Sequence, residues 1–143
     1  MDVWRMMNTY YDFALLGVWL ILATVLVQAL VASFAKANRK NHIPGKPVEN
    51  SHESFVFRAE RTFMNSLENL PVFLGTALVA VLAGASPHWT GKLIWIYAGA
   101  RILHMALYYA IATEKNPSPR TWFYLLGVLA NLGLLGVTLV ALI

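Results

Sequence analysis

Residues 13–35 read FALLGVWLILATVLVQALVASFA, an apolar stretch without a formal charge. At about 1.5 Å of rise per residue, a helix of that length crosses a hydrocarbon core of roughly 30 Å. Hydrocarbon offers the backbone no hydrogen-bond partner, so a lone spanning segment has to be helical. Three more apolar stretches follow, at 69–85, 93–113 and 122–143. The second helix is expected to begin earlier, near Ser54, which brings several polar residues into its first turns. Helices are therefore expected at about 11–36, 54–85, 89–113 and 120–143. The class is all-α integral membrane: one domain, a four-transmembrane-helix bundle with both termini on one side.

The punctuation between these stretches agrees. Pro44, Gly45 and Pro47 make the long first connection a loop, and Ser86-Pro87 ends helix two. Pro117-Ser118-Pro119 interrupts the chain before helix four, where Ser118 or Thr121 is placed to cap it. The N-terminal stretch makes a poor secretory signal, because Asp2 and Asp12 flank Arg5 and the apolar run is too long. It reads as a retained helix. Gly133 and Gly136 lack the four-residue spacing of a helix-dimer motif.

Composition sets the same class. Of 143 residues, 58% are hydrophobic and 13% charged, whereas a soluble domain carries about a quarter charged residues. Mean hydropathy is +0.56. There is no cysteine, so disulfides, thiolate metal sites and a cysteine nucleophile are excluded. Any thiol chemistry needs a thiol brought by a ligand. The net charge of +4 is too small to imply nucleic acid. Lys36, Arg39, Lys40 and Lys46 crowd the first connection, and Lys115 and Arg120 the third, against Arg5 and Lys92 on the other face. The positive-inside rule then puts connections one and three in the cytoplasm. Trp4, Tyr10, Tyr11, Trp89, Trp95, Trp122 and Phe123 fall where interfacial aromatics anchor helix ends. Short loops and the lack of cysteine fit a bacterial inner membrane.

Two polar faces stand out against this background. Arg58, Arg61, Asn65 and Glu68 fall at i, i+3, i+7 and i+10, and Arg101, His104 and Tyr108 at i, i+3 and i+7. Helical geometry gathers each set on one side. Ionisable groups at membrane depth are costly and usually mark a protein interior or a wet functional cavity. Guanidinium groups fork onto carboxylates, Asn65 adds a donor and an acceptor, and Glu68 accepts from an ammonium. The set suits a zwitterionic, peptide-like ligand with more than one carboxylate. The competing reading is an internal salt-bridge network between Arg61 and Glu68, with Arg58 snorkelling to the interface. His104, alone on its face, reads as a satisfied interior hydrogen-bonder. Arg120, Thr121 and Tyr124 form a third cluster at the start of helix four, suited either to stabilising an anion or thiolate or to anchoring the helix. Gln28 and Asn131 read as hydrogen bonds across helices. His42, His52 and His88 read as loop residues without metal-ligand spacing. No phosphate-binding glycine loop or serine nucleophile elbow is present.

The segment Phe57-Arg58-Ala59-Glu60-Arg61-Thr62-Phe63-Met64-Asn65-Ser66-Leu67-Glu68-Asn69-Leu70-Pro71 resembles the signature of the MAPEG family, the membrane-associated proteins in eicosanoid and glutathione metabolism. Ala100-Arg101-Ile102-Leu103-His104-Met105-Ala106-Leu107-Tyr108 is similar to its second motif. The resemblance implies a homotrimer of four-helix bundles, with glutathione bound between subunits near the cytoplasmic face. It makes Arg61, Asn65, Glu68 and Tyr108 glutathione contacts. Arg120, Thr121 and Tyr124 resemble the helix-four set whose arginine stabilises the thiolate. Lys36 and Arg39 are both candidates for a basic contact from helix one. Met64 stands where prostaglandin E synthase-like members carry a further arginine, a departure from that branch.

A lowered thiol pKa beside a guanidinium makes the cofactor thiolate the nucleophile. The expected activity is glutathione transfer to lipophilic electrophiles arriving from membrane lipid, reduction of lipid hydroperoxides, or both, with prostaglandin E synthase-like isomerisation as a further route. Arg120 and Tyr108 are the expected catalytic residues, with Arg58 and Arg101 among the binding residues. A non-catalytic lipid-binding protein and a small multidrug-type transporter are the rival classes. The first has little need of these charges. The second usually depends on a carboxylate deep in helix one, where this chain has Gln28.

Overall fold

The computed structural model describes residues 3–40, 43, 45–46 and 50–143, and of residues 3–8 the backbone alone. Arg5 and Trp4 as side chains, and Asp2, His42, Pro44 and Pro47 altogether, lie outside the described residues. Among the described residues four helices follow in order: α1 (Val3–Ala37), α2 (Phe55–Leu82), α3 (Pro87–Ala110) and α4 (Pro119–Leu142). The first begins earlier than its apolar run, because nothing in residues 3–10 breaks a helix. The second stops at Leu82, where Gly84 takes a positive φ of 67°. Pro71 lies inside α2, where the ring deprives the Leu67 carbonyl of its helical partner.

Successive helices run antiparallel. Lys36 near the end of α1 pairs with Glu60 in the first turns of α2, and Arg101 of α3 reaches Asn65 of α2. Near its N-terminal end α1 packs beside the start of α3, where a Cβ on Gly17 would meet Ile94 Cγ2 at 2.6 Å. A Cβ on Gly91 would likewise meet Phe13 Cδ1 at 2.8 Å. These two glycines let α1 and α3 approach. Helices α2 and α3 form the central pair, and among the described residues the backbones of α1 and α4 do not approach each other closely.

The outside of the bundle is apolar and the inside is small or polar, as expected of a protein solvated by lipid. Leu16, Trp19, Leu26, Leu129, Leu132 and Val140 point outward. Ala14, Ala77, Ala80, Ala98 and Ala130 are buried around Phe73 and Tyr97, whose rings stack at 4.0 Å and 5°. Thr9–Ala37, Phe55–Leu82 and Pro119–Leu142 are long and apolar enough to cross a membrane. The α3 helix matches α4 in length at 24 residues but not in composition. Lys92, Arg101 and two histidines lower its hydropathy, and it buries Arg101 and His104 inside the bundle instead.

Several expectations change. Tyr11 is buried rather than lipid-facing, and Trp95 is half-buried. The Tyr11 hydroxyl donates to the Ala85 carbonyl, and Trp95 stacks on Phe13 while its Nε1 donates to the Phe13 carbonyl at 2.8 Å. Each aromatic ties α1 to the α2–α3 end of the bundle. Gln28 is buried, yet neither of its amide atoms has a partner among the described residues, and the same holds for Asn131 Oδ1. His88 lies in the first turn of α3 rather than in a loop.

Candidate functional site

Polar chemistry concentrates at one end of the bundle, where α1 and α3 finish and α2 and α4 begin. Lys36, Arg58, Arg61, Lys115 and Arg120 make this the basic end. An open cleft of about 640 Å³ lies there, lined by Lys36, Lys46, Asn50, Glu60, Arg61 and Met64 among others.

The helix-two face divides in two. Arg58 is buried and does not snorkel. Its Nη1 donates to the carbonyls of His52 at 2.6 Å and Glu53 at 2.9 Å, and its Nη2 to that of Tyr109 at 3.3 Å. Expected as a ligand-facing residue, Arg58 instead holds the end of the first connection against the last turn of α3. The spacing that put it on the site's face says nothing of the carbonyls beside it. Asn65 is half-buried and accepts from Arg101 Nη2 at 2.7 Å, and that nitrogen also reaches Ser66 Oγ at 3.0 Å. Arg61 and Glu68 are exposed and share no ion pair with each other or with any described residue. The internal Arg61–Glu68 network therefore does not form within one chain.

On α3, Arg101 and His104 are buried and Tyr108 is half-buried. His104 is less satisfied than expected, since its Nδ1 has no partner among the described residues. Its ring lies 5.3 Å from Tyr108 and 6.2 Å from Tyr124. From α4, the Arg120 guanidinium sits 4.2 Å above the Tyr108 ring, a cation–π contact. Its Nη2 donates to the Thr113 carbonyl at 3.0 Å, while its buried Nη1 has no partner among the described residues. Thr121 serves the helix start: its Oγ1 accepts from the Ser118 N–H at 3.3 Å. Tyr108, Arg120 and Tyr124 thus converge, with His104 behind them. Lys36 is paired with Glu60, and Arg39 Nη2 donates to Ser54 Oγ at 2.9 Å.

Two residues join this cluster that spacing did not single out. His52, from the first connection, offers its backbone N–H to Glu114 Oε1 at 3.0 Å and its Nδ1 to Oε2 at 2.9 Å. Its Nε2 lies 3.3 Å from the Tyr108 hydroxyl. The His52 N–H, and then its ring, hold the Glu114 carboxyl below the usual carboxylate range. Glu114 stands 62 positions from His52, in the α3–α4 connection, so no helical period relates them.

This donor set fits an anionic thiol ligand. An orphaned guanidinium nitrogen, an aromatic hydroxyl and an unpaired carboxylate near further arginines match a thiolate, carboxylates and an ammonium. No group of three or more metal-ligating side chains exists among the described residues.

No curated protein matches the chain, and no solved structure does. The model of the MAPEG family matches residues 13–140, nearly the whole length. The chain therefore belongs to the MAPEG family, helical membrane proteins whose activities are of the glutathione-related transferase and isomerase kind.

Proposed function

We propose that this protein binds glutathione at the basic end of the bundle and turns its thiolate on lipophilic electrophiles, lipid hydroperoxides or both. The observation that carries the reading is the Arg120 guanidinium, stacked on Tyr108 with a buried Nη1 that no described group satisfies. A buried charged donor without an acceptor is costly, and an incoming thiolate relieves that cost. Arg120 stabilises the thiolate and Tyr108 donates to it. Arg61 and Glu68 take the carboxylate and ammonium ends of the tripeptide, and Tyr124 and Thr121 line the α4 side. Asn65 and Arg101 act as one unit, the arginine fixing the amide that meets the ligand, and Arg58 anchors the rim.

Arg61 and Glu68 also support a site completed by a second copy of the chain. Exposed unpaired charges on a spanning helix are unfavourable against lipid, and a homotrimer that places a neighbour and glutathione over them removes that exposure. The site then faces the cytoplasm, by the distribution of lysine and arginine, in a membrane such as the bacterial inner membrane. Its lipid side admits apolar substrates.

A turnover assay tests the reading directly. Purified protein with glutathione is given a chlorinated aromatic acceptor or a lipid hydroperoxide. Consumption of either with loss of free thiol is expected. Failure with both, together with no heat of glutathione binding, favours the lipid-binding alternative.

A further inference from the structure

We propose that Glu114 and His52 form a positioning pair that acts through the Tyr108 hydroxyl, drawing the proton from the bound thiol. The inference rests on the reading that glutathione occupies the Arg120–Tyr108 site, and it adds a route for the proton that this reading leaves unassigned. Neither residue belongs to the helical motifs.

The geometry fixes His52 from three sides. Both Glu114 oxygens are engaged, one by the His52 N–H at 3.0 Å and one by Nδ1 at 2.9 Å. Phe57 of α2 packs edge-on against the imidazole, with centroids 5.1 Å apart at 88°. Arg58 Nη1 grips the His52 carbonyl at 2.6 Å. A carboxylate on Nδ1 makes that nitrogen the N–H of the neutral ring, leaving the Nε2 lone pair as an acceptor. That lone pair is the one 3.3 Å from the Tyr108 hydroxyl. Among the described residues, the charged and titratable groups facing His52 are therefore Glu114 from the α3–α4 connection, Tyr108 from α3 and Arg58 from α2. Arg120 of α4 stands behind Tyr108.

The transfer balances. The thiol S–H breaks and its proton goes to the Tyr108 oxygen, as the tyrosine's own O–H proton passes to His52 Nε2. One S–H and one O–H bond are lost, and one O–H and one N–H bond are gained. Tyr108 ends neutral, Glu114 balances the imidazolium, and Arg120 balances the thiolate. Glu114 is exposed at the rim, so the imidazolium can release its proton to water. The arrangement repeats the logic by which a carboxylate orients an imidazole toward a hydroxyl, with the phenol interposed before the nucleophile.

The test uses the full-length protein in detergent, rapidly mixed with glutathione while thiolate absorbance and proton release are followed. Wild type is expected to form the thiolate with a rate that rises with pH. His52→Gln retains hydrogen-bonding capacity but cannot take up the proton, so its rate is expected to fall about tenfold or more, at the low end of general-base contributions. Its pH dependence should flatten, while glutathione affinity stays within about threefold, less than 1 kcal/mol. Glu114→Gln, at an exposed position, is expected to fold and to slow thiolate formation in the same direction. It carries the test alone if His52→Gln does not fold. Unchanged rate and pH profile in a folded variant, with wild type forming thiolate normally, overturns the pair alone. Absence of glutathione binding by wild type overturns the functional reading and the pair with it.

Discussion

Arg101 of α3 and Asn65 of α2 are locked together at 2.7 Å, and the same guanidinium nitrogen holds Ser66 Oγ at 3.0 Å. The bond joins the two central helices. It also fixes the Asn65 side-chain amide, whose oxygen is turned to Arg101. Arg101→Ala should leave Asn65 and Ser66 unmatched inside the bundle, at a cost of about 1–3 kcal/mol. Arg101→Lys keeps the charge without the planar fork and should recover only part of it. Thermal unfolding in detergent checks the first effect, and glutathione titration checks the accompanying loss of affinity. Unchanged melting in Arg101→Ala would contradict the locked pair.

Gly17 sets the approach of α1 to α3. A Cβ there would come within 2.6 Å of Ile94 Cγ2, on a side chain that is fully buried. Gly17→Val should overpack this contact and destabilise by about 1–3 kcal/mol, read as a lower melting temperature. Gly136, where a Cβ meets nothing within 4 Å, is the control, and Gly136→Ala should melt close to wild type.

Gln28 makes the opposite case. Both amide atoms are buried without a partner in the described chain. Replacing an unsatisfied amide by an apolar side chain of similar size is neutral or stabilising. Gln28→Leu should therefore melt at or above the wild-type temperature. A fall of more than about 1 kcal/mol in stability would contradict this and would mean that a buried water satisfies the amide.

Glu114 gives the rim a pH dependence. Its carboxyl is held below its ordinary value by the His52 N–H and ring. A depressed carboxylate contributes stability above its unfolded pKa of about 4, and the contribution is lost as pH falls through the folded value. The contact between the first and third connections should therefore loosen below about pH 4. Protection of the His52 amide, its exchange rate relative to the unfolded chain at the same pH, should fall there in wild type. In Glu114→Gln the acid-dependent step should be absent, because no carboxylate remains to be protonated.

The helices were legible because lipid imposes a simple rule: long apolar stretches bounded by proline and glycine. So was the basic end, because Arg58, Arg61, Asn65 and Glu68 share a helical period. What each of them touches was not legible. Spacing places Arg58 on a face but cannot show that three carbonyls surround its guanidinium. Tyr11 and Trp95 have the composition of interface anchors, yet their hydrogen bonds reach backbone carbonyls of neighbouring segments. His52 and Glu114 were invisible as a pair, since two connections bring them together and no period predicts that meeting. The α3 helix is the converse: the lowest of the four in hydropathy, it buries Arg101 and His104 inside the bundle.

The central claim concerns one guanidinium, and the ultraviolet absorbance of the glutathione thiolate reads it directly. Mixing glutathione with the wild-type protein near neutral pH should produce that absorbance, and Arg120→Ala should lose most of it while retaining most of the binding heat. Equal thiolate absorbance in the two proteins would contradict the account.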